Sequence, residues 1–210
     1  MAIGDPYVTP EEIAGHCGVP NPGDGTFEAL ALAASQAVEL FTCRQFNRDE
    51  VASPRRFRAV DYERVKTDDF WTMDDFAISV DGTEWATEDV DPRPWDGIHC
   101  GQPGWPFFDL FAVNRCFGWK ARRRIALVTV TAKWGWEEVP PLIKLAVLDV
   151  ACDLRSGLVS EVRSEQAGGL SISYGQLQVD PDDLRGVVAG NPSAYVRASP
   201  YVVDSPMGVA

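Results

Sequence analysis

Residues 129–147 read TVTAKWGWEEVPPLIKLAV. An alternating run ends on Trp134-Gly135-Trp136, two acids follow, and a double proline opens an apolar stretch. Before the tryptophan corner, Val128, Val130, Ala132 and Trp134 share one face, with Thr129, Thr131 and Lys133 on the other. That two-residue period is the mark of a half-buried antiparallel strand. After the corner, Pro140 and Pro141 suit a helix start, where a missing N–H costs nothing and the fixed φ already fits. At roughly 100° per residue, Ile143, Ala146, Val147, Val150, Ala151 and Leu154 form a broad apolar arc. Leu145, Leu148 and Cys152 form a second, narrower arc, with Lys144, Arg155, Asp149 and Asp153 on the seams. A helix that is apolar on two sides is buried on both. The second partner is either the chain's own β region or another copy, and the pattern leaves both open.

Working outward, residues 7–18 carry a capped helix start: Thr9 as cap, Pro10 in the first position and Glu12 to close the capping box. Gly15 and Gly18 end that helix early. Thr26 is the next cap, and FEALALAASQAVELFTCRQF continues to about Phe46 with Phe27, Leu30, Ala34, Val38 and Phe41 on one stripe. Between about residues 50 and 136 the texture changes to short strand-like runs broken by Gly, Pro and Asp, and Asp81-Gly82 signals a hairpin. The Pro- and Gly-rich stretch 89–105 reads as an exposed loop. The expected class is therefore α+β: a small helical bundle (helices about 10–18, 26–46 and 141–156) with an inserted antiparallel β region. Residues 1–165 form the body. Residues 166–210, rich in Gly, Pro and Ser, read as an extended tail without a core of its own, with one short helix possible after Asp180-Pro181.

The chain has 210 residues and a formal net charge of −12. Phosphate binding depends on Lys and Arg displacing counterions, so this balance opposes nucleic-acid binding as the main task. The opening MAIGDPYVTPEE lacks the basic flank and apolar run of a signal peptide, and no apolar stretch is long enough to span a membrane. Five scattered cysteines (Cys17, Cys43, Cys100, Cys116, Cys152) point to reduced thiols rather than a disulfide framework.

Chemistry-bearing patterns are sparse. Asp68, Asp69, Asp74 and Asp75 offer one ligand per strand face, the pattern of polar strand ends more than of a cation site. The pairs His16-Cys17 and His99-Cys100 lack zinc-ligand spacing. No nucleophile elbow or phosphate-binding loop is present, and no enzyme activity, metal or cofactor is expected. The clusters Arg55-Arg56-Phe57-Arg58 and Arg122-Arg123-Arg124 alternate between faces, which favours pairing with acidic surfaces over gripping DNA. Trp95, Trp105 and Trp119 raise sugar stacking as an alternative to service as hydrophobic plugs.

The succession of motifs resembles one family. Y-V-T-x-E-E-I is followed by a long alanine-rich helix ending T-C-R-Q-F, by D-D-F-x-x-I-S-V-D-G, and by V-T-A-K-W-G-W-x-x-V-P-P-x-I-K-x-A-x-L. In this order, over about residues 7–156, the chain resembles the head-to-tail adaptor (connector) proteins of long-tailed bacteriophages; Trp134 to Lys144 is the most characteristic piece. The resemblance implies a virion protein of the neck, assembled in the host cytoplasm as a dodecameric ring under the portal. Such a ring extends the channel for double-stranded DNA without reading its sequence, and docks the next neck component. The implied partners are further copies of the chain, the portal protein and a head-closure or tail-neck protein, with no membrane. A cyclic ring needs two different contact surfaces on each subunit. The expected interface residues are Leu145, Leu148, Cys152, Arg122, Arg123, Arg124, Ile172, Tyr174, Tyr195 and Tyr201. Trp134, Trp136 and Pro141 form a corner that holds the strand end over the helix start. The alternatives are a head-closure (stopper) or other neck protein, and a tryptophan-rich module for host sugars.

Overall fold

The computed structural model describes residues 4–119, 124–159, 164–167, 170–173 and 184–203. It is α+β: helices at both ends of the chain, with an antiparallel sheet formed by the residues between them. The chain divides into two compact units, one from Met1–Arg44 with Val139–Ala210 and one from Gln45–Glu138.

The first unit is helical. Helix α1 (Pro10–Cys17) starts as its sequence dictates: Thr9 Oγ1 accepts from the Glu12 N–H at 3.2 Å, and Glu12 Oε2 accepts from the Thr9 N–H at 2.7 Å. Gly18, at φ 67°, ends it. Helix α2 (Thr26–Thr42) is capped one residue earlier than its sequence suggests. Gly25 is the cap residue, and the Asp24 carboxylate accepts from the Thr26 N–H at 2.9 Å. Hydrogen bonding from the Thr26 side chain, with that backbone bond beside it, holds the Asp24 carboxyl below its ordinary range. The helix stops at Thr42 because Cys43 turns left-handed (φ 55°), so the expected extension to Phe46 is not helical. Phe27, Leu30, Ala34 and Val38 of the expected stripe are buried. Helix α3 spans Pro141–Val159, three residues beyond its expected end.

The expectation of an extended tail fails over residues 184–203. Helix α4 (Leu184–Gly190) packs on α2, and helix α5 (Pro192–Ala198) packs on α3. Val187, Val188, Ala194, Ala198 and Tyr201 are buried there. The small residues that suggested an unstructured tail are what let two seven-residue helices approach α2 and α3 closely. Asn191 between them caps α5, its side chain accepting from the Ala194 N–H at 2.8 Å. Residues 201–203 are fastened by Arg44 Nε donating to the Tyr201 carbonyl at 2.8 Å and by the Val203 N–H donating to the Thr42 carbonyl at 3.0 Å. Two short strands, β9 (Ser164–Ala167) and β10 (Leu170–Ser173), form an antiparallel hairpin within the chain.

The second unit is a six-stranded antiparallel sheet. Its strands are β1 (Ser53–Arg58), β2 (Arg64–Val80), β3 (Thr83–Trp85), β4 (Val90–Arg93), β5 (Phe107–Ala112) and β8 (Leu127–Trp134), in the order β1-β8-β2-β5-β4 with β3 on β2. A short ribbon, β6 (Gly118–Trp119) with β7 (Arg124–Ile125), stands apart from it. Asp81 and Gly82, at φ 49° and 83°, make the two-residue β2–β3 hairpin. Strand β8 alternates as its sequence requires, with Val128, Val130, Ala132 and Trp134 all fully buried. The stretch 89–105 is more ordered than a loop. Val90–Arg93 is an edge strand on β5, and the Trp105 N–H donates to the Gly97 carbonyl at 2.8 Å.

Candidate interaction surface

The Trp-Gly-Trp corner lies within the residues of the sheet unit. Trp134 lies between Phe57 and Phe70, donates Nε1–H to the Ser53 carbonyl at 2.8 Å, and carries the Arg55 guanidinium 4.6 Å above its ring. Trp136 packs against Phe46 and Trp105 and donates Nε1–H to buried Asp69 at 2.8 Å. Gly135 joins them at φ 97°, where a Cβ would stand 1.8 Å from the Asn47 carbonyl oxygen. Pro141 does open α3.

In the helical unit, α3 buries its broad arc: Ile143, Ala146, Val147, Val150 and Ala151 are solvent-free. Outside that arc Leu142 and Leu145 are 43% and 38% exposed, and Leu148 is half-buried. Helix α5 adds Tyr195 and Val196, 47% and 67% exposed. The two helices are tied by Arg197, which pairs with Asp149 at 2.7 Å and reaches the Leu145 carbonyl at 3.4 Å. Exposed apolar side chains therefore lie on adjacent elements around a polar clamp. Burying a Leu or Val of this kind against a partner contributes up to about 1.5–3 kcal/mol each.

The remaining expected residues divide. Cys152 is not a free apolar contact. It is bonded to Cys17, with Cα atoms 5.6 Å apart, which also corrects the expectation of reduced thiols for this pair; Cys43, Cys100 and Cys116 are free and exposed. The two cysteines lie 135 residues apart in sequence, so no spacing rule flags them. Tyr195 is exposed, with its ring edge-on to Phe41 at 5.6 Å. Tyr201 is buried and belongs to the core. Arg124 lies in β7 opposite Trp119 and Ile172 in β10 opposite Glu165, while Arg122, Arg123 and Tyr174 lie outside the described residues.

The acidic pairs resolve into ion pairs and hydrogen bonds. Arg55 pairs with Asp68 at 2.7 Å, Asp69 accepts from Trp136, and Lys133 pairs with Asp75 at 2.9 Å. The two His-Cys pairs go to different tasks. His16 pairs with Asp149 at 2.9 Å beside the disulfide, and His99 packs 4.5 Å from the Trp105 ring. Among the described residues no group of three or more His, Cys, Asp or Glu is placed to hold a metal ion, and no helix is long and apolar enough to cross a membrane.

The residues that sequence reading missed are Val196 and Leu142. Val196 was placed in a supposed extended segment, and Leu142 lies between the two arcs of α3.

No protein-family model matches the chain, and no curated protein does either.

Proposed function

We propose that this chain is a structural head-to-tail adaptor of a bacteriophage neck, which assembles as a ring on the portal and docks the next neck component. The carrying observation is the divided apolar surface of α3: one arc fills the core of the helical unit, while Leu142 and Leu145 outside it stay open, as does Val196 on α5. A ring subunit needs such a surface, because each head-to-tail contact joins two different faces. The succession of sequence motifs gives the neck context, and the net charge of −12 suits a wall along which DNA slides without adhering. The test is ultracentrifugation with and without portal rings. The chain alone stays monomeric and enters a ring-sized species when portal is added; a stable dimer indifferent to portal contradicts the proposal.

One observation favours a second reading. Trp95 is 60% exposed on the sheet unit, its Nε1–H bonded to Asp91 and one face covered by the Arg93 guanidinium at 4.3 Å. A braced, exposed indole is a stacking platform for a sugar ring. A glycan array separates the two: saturable binding abolished by Trp95→Ala supports the sugar module.

A further inference from the structure

The Cys17–Cys152 bond is placed unlike a core staple. It joins the last residue of α1 to the middle of α3, and both cysteines are only partly buried. They line an open cavity of about 350 Å³ with His16, Asp149, Asp153, Arg155, Ser156, Asn191 and Ser193. The wall is polar, and its fixed charges nearly balance: Asp149 and Asp153 stand against Arg155 and against Arg197, which pairs Asp149. A small anionic thiol therefore meets neither an apolar barrier nor a one-signed field at the sulfurs. Exposed disulfides are the ones that exchange readily, since attack needs a clear line to a sulfur atom.

What the bond holds is weak without it. Helix α1 has eight residues and contributes one fully buried side chain, Ile13. Helices this short are not stable alone and depend on tertiary contacts. Its entry is anchored by buried Tyr7 and Val8, and the Tyr7 N–H donates to Ser35 Oγ at 3.1 Å. Its exit is held by the disulfide and by His16 on Asp149, itself a partly exposed ion pair of modest strength.

We propose that Cys17–Cys152 is an exchange site for small thiols such as glutathione, and that its redox state sets whether the end of α1 stays docked on α3. A glutathione thiolate attacks one cysteine sulfur, the S–S bond breaks, and the other cysteine leaves as a thiolate that takes up a proton. A second glutathione thiolate then attacks the glutathione sulfur of the mixed disulfide. The products are two protein thiols and one glutathione disulfide, a transfer of two electrons. Reduction frees the exit of α1 and uncovers the Cys152 side of α3. The proposal stands independently of the phage reading, and its test uses no neck component.

The full chain is incubated natively in oxidised or millimolar reduced glutathione. Alkylation with peptide mass spectrometry then reads the state of Cys17 and Cys152, and amide hydrogen exchange reads α1. The expected result is reduction without denaturant, with exchange across 11–18 accelerated about tenfold or more while the α2 core is unchanged. Cys17→Ser with Cys152→Ser should exchange like the reduced chain in both buffers; the wild-type oxidised chain is the reference if that variant folds poorly. A bond that yields only in denaturant, equal α1 exchange in both states, or freely alkylated Cys17 and Cys152 in the oxidised buffer overturns the proposal.

Discussion

Trp134 is the largest fully buried side chain of the sheet unit, and its ring packs against side chains of two neighbouring strands, Phe57 of β1 and Phe70 of β2. Trp134→Ala should lower unfolding stability by about 3–5 kcal/mol in urea melts, because the cavity adds to the lost transfer energy. Gly135→Ala should be at least comparably harmful. It combines a Cβ 1.8 Å from the Asn47 carbonyl with a left-handed φ that alanine disfavours; an unchanged melt would refute the corner geometry. Glu39 gives a pH-dependent counterpart. Burial raises its carboxyl above the ordinary 4.5, and the hydrogen bond from the Tyr7 hydroxyl only partly opposes this. A raised folded pKa means that the contribution to stability is present below the ordinary value and is lost as pH rises through the folded one. Glu39→Gln keeps the acceptor and never ionises. Its melting temperature should therefore exceed wild type at about pH 7, with the difference vanishing near about pH 4. The same difference at both pH values would contradict the assignment.

At the scale of elements, helix α3 separates folding from assembly. Leu145→Asp changes a side chain already 38% exposed and should leave the monomer melt within about 0.5 kcal/mol of wild type while weakening ring formation. Val188→Asp, by contrast, puts a charge where α4 is fully buried, and should cost about 3 kcal/mol or more or unfold the helical unit. If Val188→Asp melts like wild type, α4 is not part of that core. These two substitutions also mark what the sequence makes legible. The two-residue alternation of β8 and the arcs of α3 are strong periodic signals carried by many side chains, so both elements are readable. Helices α4 and α5 are seven residues each, too short for a stripe to repeat; the Asp180-Pro181 turn hints at the first, while the second reads as an extended segment. Their helicity comes from docking on α2 and α3, a tertiary cause that no local pattern carries. The disulfide is hidden for the same reason, since only the packing of α1 on α3 brings its sulfurs together. Of the interaction surface, Leu145 was legible as an apolar residue off the main arc; Val196 was not, because its helix was not.

At the scale of the molecule, a helical unit is interrupted in sequence by a sheet unit that has its own core. The sheet unit seals its aromatic corner internally, whereas the helical unit leaves apolar side chains open beside the Arg197–Asp149 clamp. In the proposed reading the helical unit carries the ring and portal contacts. The most direct test is co-sedimentation of the full chain with portal rings of the same virion, in wild-type and Leu145→Asp forms. The account predicts that wild type pellets with the portal in saturable fashion and that Leu145→Asp, folded by its melt, stays in the supernatant. Wild-type protein that fails to pellet with portal, or a Leu145→Asp variant that pellets equally well, would contradict it.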